Sequence, residues 1–210
     1  MQLLEQFRGE THSSHQRLHQ LINPDRLTSG LEEYVDGLQR YLSVVGPVEK
    51  HLTQLSERVL RADQLPPSWT RRLQKTSWLL EDLHCLKVAP RDVAVADFVP
   101  EGGDQEVQNS EQALAVIAGK SYALEGMTLG ATRMAGLVEE RLGLGTSSGC
   151  RFFVGYGEQT AEYWKAFRRW IEGLQIDDAV AVHAAVGMFR SFESGFSDSL
   201  ETLESAGTDE

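Results

Sequence analysis

The chain has 210 residues, of which 41% are hydrophobic and 24% charged, and its net charge is -11. That is enough apolar material for one packed domain, which excludes wholesale disorder, and the acidic balance argues against non-specific binding of nucleic acid or an anionic membrane. No apolar run approaches the roughly 18 residues of a membrane span. Cys85 and Cys150 stand alone and "MQLLEQFRGE" lacks the layout of a signal peptide, so the expected location is cytoplasmic.

Residues 2–22 are periodic and predict a helix that stops at Asn23-Pro24, because proline disfavours helix in the residue before it. A second helix opens at Ser29 and Glu32, which form a capping-box pattern, and Pro47 should kink or divide it. "ADQLPPS" reads as a loop and Trp69–Leu86 as helix. "KVAPRDVAVADFVPEGGDQEVQNS" reads as a long connection; its "DVAVADFV" alternates like a strand but has no second strand to pair with. Ser110 is the expected cap of a helix reaching about Leu142. "GLGTSSGCRFFVGYGEQ" is a glycine-rich loop, followed by helices over 160–174 and 177–204. The sequence therefore predicts one all-α domain over 1–204, with 205–210 a disordered acidic tail.

Within the long helix, "YALEGMTLGAT" carries two glycines four residues apart. Each costs about 1 kcal/mol against alanine in a helix interior. At 100° per residue, Gly119, Tyr122, Gly126 and Gly130 share one face. Two explanations stand: close packing of another helix, or close approach of the backbone to a planar ligand beside a locally bent helix.

The first helix holds "RGETHSSHQRLHQL", with His12, His15 and His19 on roughly one face. Helical histidine suits zinc, iron or heme iron. A di-iron carboxylate centre needs two Glu-x-x-His pairs, and only Glu81 with His84 qualifies. His-Glu-x-x-His, Gly-x-Ser-x-Gly, the P-loop and the dinucleotide fingerprint are absent. One axial histidine, by contrast, needs only a facing helix with room for a porphyrin.

These segments together resemble the bacterial biliverdin-forming heme oxygenases, including the type encoded beside bacterial phytochromes. "RGETHSSH" is similar to that family's basic residue, threonine and proximal histidine, and "YALEGMTLGAT" to its distal-helix motif. "KTSWLLEDLHCL", "RFFVGYGEQ" and "YWKAFRRWIE" carry the likeness through most of the chain. The resemblance implies a heme-oxygenase-like helical bundle, with heme between the first helix and a kinked distal helix. It implies that heme, as substrate and cofactor, is degraded with dioxygen to biliverdin, carbon monoxide and ferrous iron. It further implies His15 as the proximal iron ligand, Gly126 and Gly130 as the distal wall, and Arg8, Tyr122 and Arg168 as propionate partners, with Arg169 the alternative to Arg168. Electrons would come from a separate reductase or ferredoxin, and a phytochrome is a candidate acceptor of the product.

Met127 departs from the pattern, since animal members carry an aspartate there and bacterial ones often a small residue. That residue places the oxygen-activation step in question. It keeps a non-catalytic heme-binding or sensing protein on the same fold as the alternative. Further rivals are a purely helical interaction protein and a thiamin-degrading enzyme, which would need a nucleophilic cysteine.

Overall fold

A computed structural model describes residues 2–59, 61–91, 107 and 109–205, with side chains to 197. The alternating "DVAVADFV" and, past Ser205, the expected acidic tail lie outside the described residues. Nine α-helices carry the fold among those described: α1 (Leu3–Leu21), α2 (Pro24–Leu27), α3 (Leu31–Ser56), α4 (Trp69–Arg72), α5 (Lys75–Cys85), α6 (Ser110–Leu142), α7 (Arg151–Val154), α8 (Thr160–Glu172) and α9 (Asp178–Ser205). The all-α expectation holds, and no described helix is long and apolar enough to cross a membrane.

The Asn23-Pro24 stop also serves as a start. The Asn23 side chain accepts from the N–H groups of Asp25 and Arg26, and Pro24 takes the first helical position of α2, where its missing donor costs nothing. The expected capping box does not form. Gly30 is the N-cap of α3, without a side-chain bond, and the Ser29 hydroxyl instead donates to Arg26 O at 2.8 Å.

Pro47 does not divide α3, which runs unbroken from Leu31 to Ser56. An internal proline costs about 3 kcal/mol. Val44, Val45, Val48 and Leu52 around it are fully buried, and each such side chain contributes about 1.5–3 kcal/mol. Packing therefore outweighs the break. The helix expected over Trp69–Leu86 is, by contrast, two helices, broken at Leu73 and Gln74. The reason lies on α3: the buried Glu49 carboxylate accepts from the N–H groups of Lys75 and Thr76 at 2.8 and 2.9 Å. A new helix start is thereby capped from outside its own segment.

Helix α6 begins at Ser110, the expected cap, and so one residue earlier than expected, with Asn109 rather than Ser110 accepting from Gln112 N. It ends where Gly143 takes a left-handed conformation (φ 67°). The glycine-rich loop contains the short α7, whose first N–H groups are received by Asp82 of α5 at 2.6 and 2.8 Å. At its end Gly155 has φ 58°, and a Cβ there would meet Thr128 at 2.7 Å, so this turn packs directly on α6.

The core centres on α6, which packs most extensively on α9, while α9 also packs on α1 and α3 on α5. Helices α1 and α6 run in the same direction. Tyr122, in the first half of α6, stacks on Phe7 near the start of α1, and Arg141, in the last turn of α6, pairs with Asp25 at 2.8 Å and donates to Thr28, both beyond the end of α1.

Candidate functional site

A cavity of 570 Å³ opens between α1 and α6, within the range of about 300–1,000 Å³ typical of small-molecule sites. Its α1 wall carries Arg8, His12, His15 and His19. Its α6 wall carries Tyr122, Gly126, Gly130, Arg133 and Leu137. Helical geometry makes each set one stripe: at 100° per residue, either set spans a sector of about 80° or less. Tyr41 and Phe153 close the wall from α3 and α7, and Trp164 and Phe189 from α8 and α9.

The glycine face divides into two functions. A Cβ at Gly119 would strike the Ala181 carbonyl and come within 2.8 Å of Ala185 N, so Gly119 is where α9 packs closely on α6. At Gly126 and Gly130 a Cβ would meet nothing within 4 Å. These two leave bare backbone facing the cavity. The helix is nonetheless assigned without interruption across them.

His12, His15 and His19 are all exposed at the wall. The His15 and His19 rings meet edge-on at 4.5 Å, and Phe189 lies 6.1 Å from His15. Burial chiefly, then the neighbouring His19 and His12, lowers the His15 pKa. His15 is thereby biased toward neutral imidazole, the form that ligates a metal. Among the described residues no group of three or more His, Cys, Asp or Glu is arranged for a metal ion, and both Glu81 and His84 are exposed. The cavity, therefore, offers single imidazoles rather than a closed metal cage.

At the start of the cavity Tyr122 sits between Phe7, at 4.7 Å, and Trp164, at 6.0 Å. It shares a hydrogen bond with Thr11; burial raises its pKa, and Arg8 acts against that rise. Arg168 is not brought to the wall. It lies on α8 one turn beyond Trp164, with its guanidinium 3.9 Å from Glu172. Arg133 is the second cation at the wall. It was unmarked by any motif, although it continues the stripe of Tyr122, Gly126 and Gly130. Neither Arg8 nor Arg133 has an ion-pair partner among the described residues. Met127 also lines the cavity, half-buried against the core.

Behind the glycines lies a polar cluster. The Glu125 carboxylate accepts from Arg72 at 2.5 Å, Lys75 at 3.1 Å and the Tyr156 hydroxyl at 2.8 Å, and all four side chains are buried. Glu125 belongs to the Tyr-x-x-Glu-Gly motif, but its partners lie far along the chain and carry no local signal.

A sequence model of the heme oxygenase family matches residues 1–198. The chain belongs to the heme oxygenase family. Among solved structures, the NO- and CO-bound heme oxygenase of Neisseria meningitidis superposes with a TM-score of 0.74 at 16% identity, covering 96% of this chain and 93% of that one. At that identity the likeness establishes the heme oxygenase fold. No individually curated protein matches the chain by sequence.

The residues present fit a planar, dianionic porphyrin. The bare backbone at Gly126 and Gly130 offers a flat wall, His15 a neutral nitrogen, and Arg8 and Arg133 uncompensated positive charge for carboxylates.

Proposed function

We propose that this protein binds heme in the cavity between α1 and α6 and degrades it to biliverdin, carbon monoxide and ferrous iron, using dioxygen and electrons from a separate ferredoxin or reductase. Bound heme would supply both the redox-active iron and the ring that is oxidised. The chain's own residues would do the rest. His15 would ligate the iron, Gly126 and Gly130 would admit the ring close to α6, and Arg8 with Tyr122 would hold propionate. The observation that carries the reading is the open glycine pair: two residues that weaken a helix face empty space in the same cavity as His15. Helix packing does not account for this pair, since a Cβ at either position would meet no neighbouring helix. Neither cysteine lines this cavity, which disfavours the thiamin-degrading alternative.

Met127 supports one second reading, in which the protein binds heme without degrading it. Its thioether occupies wall that a polar residue would otherwise hold. The experiment that tests both is an absorbance time course of the heme complex with reductant and air, with chromatography of the product. Loss of the Soret band with formation of a biliverdin establishes the first reading. A stable Soret band under turnover conditions establishes the second.

A further inference from the structure

Each histidine of the α1 wall can serve alone, but two of them also stand close enough to act together. His15 and His19 are one helical turn apart, the spacing at which side chains on a helix surface are neighbours. Their ring centres lie 4.5 Å from each other, with the planes at 76°. Two imidazoles on one metal ion need a similar separation. Imidazole nitrogen binds zinc at about 2.0–2.1 Å, which puts each ring centre about 3.2 Å from the ion; ligand angles of about 90–110° then hold the two centres about 4.5–5.2 Å apart. The observed pair sits at the lower edge of that range. Histidines at this helical spacing are a recurrent way of holding zinc. Both residues are exposed, and neither ring has a hydrogen-bond partner among the described residues. The carboxylate that α9 sends to this end of α1, Glu193, is held by Arg17 at 3.0 Å. Across the cavity, Gly126 and Gly130 present no side chain, which leaves room for the water that completes an ion's coordination.

We propose that His15 and His19 together bind one divalent transition-metal ion in the heme-free protein, and that this ion and heme exclude each other. A pair of imidazoles selects copper, zinc or nickel over magnesium and calcium, which prefer oxygen. No third His, Cys, Asp or Glu among the described residues joins the pair, so the site is open and water fills its remaining positions. A neutral imidazole has one acceptor nitrogen, and an ion held there leaves none for iron. The ion keeps heme out by taking its ligand rather than by filling the cavity. The metal-binding part stands on the histidine pair alone; the exclusion part rests on the reading of His15 as the heme ligand given above.

The test titrates heme-free wild type, His15→Ala, His19→Ala, His12→Ala and His183→Ala with zinc chloride in a calorimeter, in buffer free of chelators. Wild type should take one zinc ion per chain. His15→Ala and His19→Ala should each weaken zinc by at least about tenfold, since losing even an outer-shell partner of a metal ligand costs about 10–100-fold. His12→Ala and His183→Ala, which remove exposed histidines outside the pair, should not. With cupric ion, the electron paramagnetic resonance spectrum should show two nitrogen ligands in wild type and one in either pair variant. In a hemin titration followed by the Soret band, zinc should weaken hemin binding to wild type but not to His19→Ala. Zinc binding that survives His19→Ala undiminished, or falls equally in His12→Ala and His183→Ala, would overturn the site. Zinc and hemin bound together to wild type would overturn the exclusion. Wild type that takes zinc through the pair but never binds hemin would uphold the site while removing the heme-degrading reading.

Discussion

Arg72 of α4 and Glu125 of α6 meet at 2.5 Å with side chains only 2% and 3% exposed, so the helix that carries the open glycines is tied to α4 and α5 by an ion pair sealed from water. Lys75 and Tyr156 complete the cluster on the same carboxylate. Removing one partner of such a pair leaves charge buried without compensation, which costs about 3–5 kcal/mol. Glu125→Ala strands two cations, Arg72 and Lys75, and should lower thermal stability by that order. Glu125→Gln keeps an acceptor and should lose less. Calorimetric melting of the two variants beside wild type checks this, and an unchanged Tm for Glu125→Ala would show that the cluster does not stabilise the fold.

The division of the glycine face predicts opposite outcomes for like substitutions. Gly119→Ala puts a methyl group into the backbone of α9 and should destabilise the protein. Gly126→Ala adds a methyl group to open space and should stabilise the heme-free protein by up to about 1 kcal/mol from helix propensity. Gly126→Leu should keep the helix content but abolish heme turnover, because a branched side chain then fills the slot. Circular dichroism melts and hemin titration separate the two effects. Heme binding and turnover that survive Gly126→Leu unchanged would make Gly126 a packing residue after all.

The resemblance implies His15, four residues after Thr11, rather than His12 or His19 as the ligand; all three line the wall, and burial together with the neighbouring histidines lowers the His15 pKa. His15→Ala should abolish histidine-type heme coordination and turnover, whereas His12→Ala and His19→Ala should retain both. The optical spectrum of the ferric heme complex is the direct measurement. A histidine-type spectrum that persists in His15→Ala would reassign the ligand.

Much of the fold and part of the site are legible in the sequence, and the boundary between legible and hidden is physical. Helices α1, α6 and α9 declare themselves through apolar periodicity and through local stops such as Asn23-Pro24 and Gly143. The break between α4 and α5 is invisible because its cap, Glu49, arrives from another helix. Pro47 looked like a divider because the burial that overrides it is tertiary. At the site, the stripe from Arg8 to His19 and that from Tyr122 to Gly130 follow from helical spacing alone. Arg133 follows from the same spacing, one more step along the stripe, but no motif marks it, and the resemblance implies Arg168 instead. The partners of Glu125 could not be foreseen, because Arg72 and Lys75 lie about fifty residues away from it.

Asp82 provides a prediction in pH. Its carboxylate caps α7 from within the core, fully buried, and burial pushes its pKa up to about 6 despite the two N–H groups it accepts from and nearby Arg151. An unfolded aspartate titrates near 3.8. The folded state therefore holds the proton more tightly than the unfolded state. The resulting stabilisation is fully present below about pH 4 and is lost as pH rises through about 6. Two units of pKa correspond to roughly 3 kcal/mol at 1.36 kcal/mol per unit. Other carboxylates add their own slopes, so the quantity to read is the difference between wild type and Asp82→Asn. Asn cannot titrate, and it keeps one oxygen to accept from the start of α7. The wild type should lose stability relative to Asp82→Asn between pH 4 and pH 7, by an amount of that order, in urea unfolding measured at intervals across the range. Parallel stability profiles for the two proteins would show that Asp82 carries no raised pKa and that its two N–H donors, rather than burial, govern its charge.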